Sequence, residues 1–510
     1  MKAGSGMDRR KFMLSAGASL AVPGLTDAAR AAALRKPGSS LPTERKPHRP
    51  NVIVMICDDL GYGDLGCYGS KMATKNIDRL AQEGVRFTHH STPHPVCSAA
   101  RAALLTGMYP TRVNSTGAFV PLDTEGMSTD CVTTADLLRG VGYRTMAIGK
   151  WHLGHAEPYW PTNRGFDDFY GVPYSVDMAP LPLMQNKKIL EEDADRDELS
   201  RKYTDAAVSF LEKPHDKPFF LYLAYSYPHI PLHASRKFRG RSPFGAYGDA
   251  LEEIDASVGE ILHTLKQKGL AKDTLVIFTS DHGPWYQGST GELRERKGST
   301  YEGGVRVPMI ASMPGVLPEG KVADAVTSHM DLLPTLAGLC DAKLPERSLD
   351  GVDAWEAFVS GRLSRERKPL LGFSGWNPQT ARLGKWKLHV SRPNLPSYLP
   401  VPKEGRMNCA LQRPELYDLI ADPKESYDVA ERNPDVVDLL KKSIEEQVKT
   451  LPEKVQQAYA ISHEHPSNAW MPAGAYPEFV STKPGTSVWR VGADADVVLQ
   501  RFRSLATETP

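Results

Sequence analysis

The chain has 510 residues, with 62 Lys and Arg against 61 Asp and Glu for a formal net charge of +1, and it is 41% hydrophobic and 24% charged. Such a length exceeds one small core, and the composition is that of a soluble globular protein, which excludes a membrane-embedded or disordered chain. The balanced charge excludes a broad polyanion-binding surface and with it a nucleic-acid partner, so an anionic substrate must be met by a few placed cations.

The chain opens with Asp8-Arg9-Arg10-Lys11-Phe12-Met13-Leu14, a mildly apolar stretch to about Pro23, and an Ala-rich run from Ala28 to Ala33. A paired-arginine region, a short apolar region and a small-residue zone in that order read as a twin-arginine export signal over residues 1–33. Cleavage is expected between Ala28 and Leu34, with residues 34–49 as a linker. The apolar stretch is too short and too rich in Gly and Ser for stable membrane insertion. The expected partner is the twin-arginine translocase, and the expected location is the periplasm or the exterior. Cys57, Cys67, Cys97, Cys131, Cys340 and Cys409 show no disulfide framework and no paired metal-ligand spacing. A chain exported already folded acquires its core in the reducing cytoplasm, so disulfides need not be present.

Val52–Ile56 is a continuous β-branched run and reads as a buried strand. Asn76–Glu83 reads as a helix ended by Gly84, and Thr145–Ile148, Phe219–Ala224 and Leu275–Thr279 read as further strands. Apolar spacing predicts a helix over Ala250–Leu265. This alternation predicts an α/β fold, a large mixed but mainly parallel sheet sandwiched by helices, over residues 50–369. From about Leu370 the pattern shifts to short aromatic strands such as Trp386–Val390 and a helix near Pro434–Gln447, so 370–480 is read as a smaller α+β domain. Residues 481–510 form a tail with no readable structure.

Ligands of open α/β sheets sit at the carboxyl ends of the strands. Asp58-Asp59 follow the first strand, Asp281-His282 the last, Lys150 and His152 follow Thr145–Ile148, and His229 and His233 follow Phe219–Ala224. Each cluster alone has an ordinary explanation: Asp-Asp serves as often in a turn or cap, and a single His or Lys is usually a satisfied or solvated residue. Their coincidence at one sheet edge favours a site. Three converging carboxylates repel unless a cation lies between them, and hard oxygen donors favour Ca²⁺ or Mg²⁺ over zinc. His282, an unusual donor for a hard cation, is read either as a ligand or as a hydrogen bonder to a bound anion.

Ser98–Leu105 is a strong helix former with Gly107 as a stop, which places Cys97 at a helix N-terminus and Arg101 one turn away on the same face. From the residues alone, Cys97 is either a small buried hydrophobe or a thiolate nucleophile whose pKa the helix end lowers.

The segment Cys97-Ser98-Ala99-Ala100-Arg101 resembles the maturation signature of the type I sulfatases, Cys-x-Pro/Ala-x-Arg, with Ala where Pro and Ser are usual. Other stretches resemble the arylsulfatase A and galactosamine-6-sulfatase branch: PNVIVMICDDLGYGDLGCYG, LLTGMYPTR, GKWHLG, PHIPLH, YGDALEEIDASVG, TSDHG, KGSTYEGGVRVP and ELYDLIADPKESYDVA, running from about residue 50 to 430. The resemblance implies an alkaline phosphatase-like fold and conversion of Cys97 to formylglycine by a formylglycine-generating or sulfatase-maturing enzyme. It implies Ca²⁺ held by Asp58, Asp59, Asp281 and His282 with the modified Cys97. It also implies a sulfate site built from Arg101, Lys150, His152, His229 and Lys297. The expected substrate is a sulfated carbohydrate, ahead of an aryl sulfate. The loop Trp285–Arg296 and the rings of Trp376 and Trp386 are candidates for a sugar pocket, or for core packing. A phosphate or phosphonate monoester hydrolase of the same superfamily and a non-catalytic sulfated-glycan binder are the competing readings.

Overall fold

Asn51–Cys57 is buried at every position, as an uninterrupted apolar strand must be when both faces of its sheet are covered. A computed structural model of the chain describes residues 49–214, 216–365, 367–393, 408–464, 479–483, 486–490 and 495–507. The expected export signal and nearly all of the expected linker lie outside these residues.

Ten strands of the described residues form the main sheet: β1 (Asn51–Cys57), β2 (Val85–Phe87), β3 (Arg144–Lys150), β4 (Asp168–Val172), β5 (Leu183–Gln185), β6 (Lys188–Glu191), β7 (Phe219–Ala224), β8 (Thr274–Ser280), β9 (Met309–Ser312) and β10 (Lys321–Ala323). Their order across the sheet is β10-β2-β9-β8-β1-β7-β3-β4-β5-β6. The central run β8-β1-β7-β3-β4 is parallel, with Val54 opposite both Ile277 and Tyr222. β9 and β5 are antiparallel to their neighbours. The expected mixed, mainly parallel sheet is therefore present. The parallel core matters for function because it brings the carboxyl ends of β8, β1, β7 and β3 side by side on one edge.

Helices Lys75–Gln82, Cys97–Thr106, Leu199–Glu212, Gly245–Gln267 and Leu332–Leu339 pack with these strands into one apolar cluster. Phe219–Ala224 has its expected bounds, whereas other elements run past theirs. Thr145–Ile148 extends to Arg144–Lys150, and Ala250–Leu265 to Gly245–Gln267, where Gly245 and Gly248 interrupt the apolar spacing that marks a helix.

A separate antiparallel sheet of Leu370–Ser374, Asn377–Leu383, Trp386–Pro393 and Asn408–Asp418, in that order, forms the smaller C-terminal unit. Its Leu371, Phe373, Ala381, Leu388, Val390 and Leu416 pack against Leu440, Ile444 and Val448 of the helix Pro434–Val448. The tail holds more order than its sequence suggests. Phe479–Lys483 pairs with Thr486–Arg490, which runs beside Met178–Ala179. Helix Ala495–Thr507 then buries Val498, Phe502 and Leu505 in the main core. No described helix is long and apolar enough to cross a membrane. Cys57, Cys67, Cys97, Cys131 and Cys340 are free thiols.

Candidate active site

The edge formed by β1 and β8 is laced by its own backbone. Asp281 N–H donates to the Cys57 carbonyl at 3.1 Å, Asp58 N–H to Tyr227 O at 3.2 Å, and Leu60 N–H to Ser280 Oγ at 3.0 Å. Asp59 takes a left-handed backbone, φ 64°, which aspartate tolerates better than most residues. Its N–H reaches Asp281 Oδ1 at 3.2 Å. Asp58, Asp59 and Asp281 are thereby buried together on adjacent strand ends.

Lys150 closes β3 beside Gly149, whose φ of +100° leaves no room for a side chain: a Cβ there would lie 1.9 Å from Ala224 O. The Lys150 ammonium is buried and donates to Asp58 Oδ2 at 2.5 Å and to Ser175 Oγ at 3.0 Å. Burial alone would raise the Asp58 pKa, but Lys150, then His229 and Arg101, outweigh it and hold the carboxyl well below the usual range.

Cys97 is the first residue of the helix Cys97–Thr106, preceded by an extended Val96 and ended by a left-handed Gly107. All ten helix residues are buried, and alanines at 99, 100, 102 and 103 allow close packing. Arg101 Nε and Nη2 each lie 3.1 Å from Asp281 Oδ2, Nη2 lies 3.5 Å from Asp58 Oδ1, and Nη1 donates to Lys150 O at 3.1 Å. Its guanidinium thus braces two carboxylates and the end of β3. The thiol of Cys97 does not follow the simple helix-end expectation. Burial raises its pKa, while Lys150 and Lys297 pull the other way less strongly.

The imidazoles carry defined protons, because a carbonyl can only accept. His282 Nδ1 donates to Gly283 O at 2.9 Å, which leaves the Nε2 lone pair facing Cys97 Sγ at 3.3 Å, Asp59 Oδ1 at 3.6 Å and Asp281 Oδ1 at 3.7 Å. His152 Nε2 donates to Phe119 O at 2.9 Å, and its buried Nδ1 has no hydrogen-bond partner. Burial, followed by the charges of Lys150 and Arg101, holds the His152 pKa well below its usual value, so the ring is neutral with a free lone pair. His229 Nδ1 donates to Ile230 O, which turns Nε2 toward Asp59 Oδ2 at 3.8 Å. Lys297 reaches both Asp59 oxygens, at 2.8 and 3.0 Å. Burial opposes the charge of Lys297, but Asp59, Cys97 and Asp58, in decreasing order, together outweigh it and raise its pKa.

The nominated residues therefore gather in one place, with His233 set apart on Asp197 at 2.7 Å. Ligand atoms of Asp58, Asp59, Cys97 and His282 all lie within 4.8 Å of one another. Ser175 was not legible in the sequence, because it follows β4, whose Gly171 and polar Asp168 blur the strand pattern. His94 was also missed; its Nε2 accepts from Gly375 N–H at 3.1 Å and ties the Cys97 segment to the C-terminal sheet. Thr300 Oγ1 bonds Gln379 at 2.8 Å and the Tyr301 ring stacks on His389 at 4.5 Å, so both serve that contact. Trp376 and Trp386 pack partly buried against the C-terminal core, whereas Tyr286, edge-on to Trp285 at 4.8 Å, is exposed.

Residues 50–342 match the sulfatase family, and 365–481 match the C-terminal region of aryl-sulfatase. The chain belongs to the sulfatase family and is a sulfuric ester hydrolase. It is 36% identical to human arylsulfatase A over 439 residues, covering 77% of this chain and 86% of that protein. It is 37% identical to the N-acetylgalactosamine-6-sulfatase of Sus scrofa over 377 residues, 67% of this chain and 72% of the relative. Among solved structures, PsFucS1 sulfatase from Pseudoalteromonas sp. superposes with a TM-score of 0.72 at 29% identity, covering 81% of this chain and 92% of that one. Ps i-CgsB in complex with k-i-k-neocarrahexaose gives 0.69 at 30% identity, covering 78% and 93%.

Proposed function

We propose that this enzyme hydrolyses sulfate monoesters of carbohydrates through a formylglycine made from Cys97, with Ca²⁺ bound by Asp58, Asp59, Asp281 and His282. The observation that carries the reading is the convergence of Cys97 with three buried carboxylates, two lysines and three imidazoles, each oriented by a ring N–H on a backbone carbonyl, at one sheet edge. The donor set fits a hard divalent cation: the carboxylates are buried, and the lysine bonded to both Asp59 oxygens is consistent with a positive charge at that position. When bound, Ca²⁺ supplies Lewis-acid polarisation of a sulfuryl oxygen. The hydrated aldehyde of formylglycine supplies two hydroxyls on one carbon, one to attack sulfur and one whose deprotonation expels sulfate.

The chain's own groups divide the remaining work. Lys150 and Lys297 oppose the charge on the sulfuryl oxygens from fixed, water-poor positions. Arg101 holds Asp58 and Asp281 in register with β3. His152, neutral with a free Nδ1, is suited to take the second hydroxyl proton. His229, as the imidazolium with Nδ1–H on Ile230 O and a second proton on the Nε2 that faces the site, would protonate the departing alkoxide.

Carbohydrate is favoured as substrate class because one relative is named for N-acetylgalactosamine 6-sulfate and one neighbouring structure holds a neocarrahexaose. The exposed Tyr286 beside Trp285 offers an aromatic edge to a sugar. Export by the twin-arginine route, after maturation of the unfolded Cys97 segment, completes the reading. The test is the mass of the tryptic peptide Phe87–Arg101 from the native host. An aldehyde or its hydrate at Cys97, together with sulfate release from a sulfated-sugar panel, is expected; an unmodified thiol in active enzyme would refute the proposal.

The role of His229 has its own signature. His229→Ala should lower kcat by about 10²–10⁴-fold on sulfate esters of sugar alcohols. Aryl sulfates with acidic phenols, whose leaving groups depart without a proton, should be much less affected. An equal loss on both substrate types would remove His229 from the acid role.

A further inference from the structure

The C-terminal sheet has two faces of opposite character. On Asn377–Leu383 and Trp386–Pro393, Ala381, Leu388 and Val390 point to the helix Pro434–Val448. The alternate positions are polar: Thr380 and Arg382 lie opposite His389 and Lys387 respectively. Because side chains alternate across a strand, this second face carries the charged residues together. It meets Glu302 and Arg306 of the catalytic unit, and all of these side chains are buried.

Glu302 accepts from Lys387 at 2.9 Å, Arg306 Nε at 2.6 Å and Arg382 Nη1 at 3.3 Å. Glu425 accepts from His389 Nε2 at 2.7 Å and lies 3.2 Å from Lys387. Arg306, Arg382 and Lys387 thus share Glu302 and Glu425 as their direct carboxylate partners, while Asp324, Arg367 and Glu415 act on the cluster without direct contact to these three cations. Burial lowers His389 and the nearby His89, and the charges of Arg382 and Arg306 help to bring His89 to about 4. Among the directly paired groups, three cations share two carboxylates, one positive charge in excess. Burial likewise weakens Arg382, to about 10, with Arg306 adding to the effect.

A cavity of about 20 Å³ opens beside this cluster, lined by Arg382, Lys387, Glu302, Thr380, Ser328 and Thr92 among others. Arg382 is only 5% exposed, its Nε donates to Gly384 O at 3.3 Å, and its Nη2 has no hydrogen-bond partner. A buried guanidinium N–H without an acceptor is costly. The volume exceeds the roughly 10–15 Å³ that a water-sized occupant needs, and it is far too small for a sugar.

We propose that this cavity is a structural site for one halide-sized monovalent anion, held by Arg382 with Lys387 and the Ser328 and Thr380 hydroxyls, which pins the C-terminal sheet to the catalytic unit. The site is separate from the Cys97 edge and independent of the carbohydrate reading. An anion there would cancel the excess charge and give the Arg382 Nη2 its missing acceptor.

Crystals of the full enzyme equilibrated in sodium bromide test it by anomalous scattering at the bromine edge. One peak is expected in this cavity within hydrogen-bond reach of Arg382 Nη2, and it should vanish in Arg382→Met. A water molecule without anomalous signal in wild-type crystals overturns the proposal, as does a peak of equal height in the variant. Wild-type crystals alone decide the matter if the variant does not fold. In solution, sodium chloride should raise Tm by roughly 1–3 °C over sodium gluconate at equal ionic strength. Equal melting in the two salts would count against the site.

Discussion

Replacing Cys97 by serine is expected to abolish steady-state turnover, by about 10⁴-fold or more, while the protein keeps its fold. The fold should survive because the side chain is small and buried, and serine can keep the contact that His282 Nε2 makes with Sγ at 3.3 Å. The helix Cys97–Thr106 is anchored by Arg101 and its alanines rather than by the thiol. The chemistry should fail because a lone hydroxyl that accepted a sulfuryl group would have no second hydroxyl on the same carbon to expel it. His152 would then have no proton to take. A steady-state aryl sulfatase assay beside a thermal melt separates these effects. Wild-type turnover in Cys97→Ser, with an unchanged melt, would remove the formylglycine mechanism.

The second large effect is expected from Lys150→Met, which should lower kcat by about 10²–10³-fold and also weaken the fold. Lys150 and Asp58 are both fully buried and bonded at 2.5 Å. Removing one partner of such a pair leaves the other charge stranded, typically at about 3–5 kcal/mol. Arg101 Nη2 stands 3.5 Å from the other Asp58 oxygen, so the loss should fall toward the lower end of that range. Methionine preserves most of the packing volume, which isolates the charge. Urea unfolding gives the stability term and single-substrate kinetics the catalytic one. A normal kcat in a destabilised variant would reduce Lys150 to a structural counter-ion.

Much of the site was legible before any coordinates. Four apolar runs announced strands, and the polar residues immediately after them proved to be the ones that meet. The signal was strong there because a strand buried on both faces must be continuously apolar, so its end is sharply marked by the first charged residue. Strands as short as Val85–Phe87 and Met309–Ser312, though they lie inside the sheet, are too brief to show such contrast. Asp168–Val172 was obscured by its glycine and aspartate, and Ser175 with it. Helix Ala495–Thr507 is hard to read in sequence because, among its described side chains, Val498, Phe502 and Leu505 alone join the main core, and the sequence before it is polar and Pro-rich.

What the sequence by itself determined is the kind of chemistry: a cysteine at the start of a helix, an arginine one turn later, and acids, lysines and histidines at the ends of apolar strands. Those properties are local, set by residue type and by the periods of helix and strand. Which strands lie side by side, which nitrogen of each histidine carries a proton, and where Arg101 directs its guanidinium were decided only in the tertiary structure. Each depends on partners far along the chain, such as Asp281 for Arg101, Phe119 for His152 and Gly375 for His94. The same holds for the charged face of the C-terminal sheet. Its residues look in sequence like an ordinary solvated strand face, and only the docking of Glu302 against them makes the cluster a buried one.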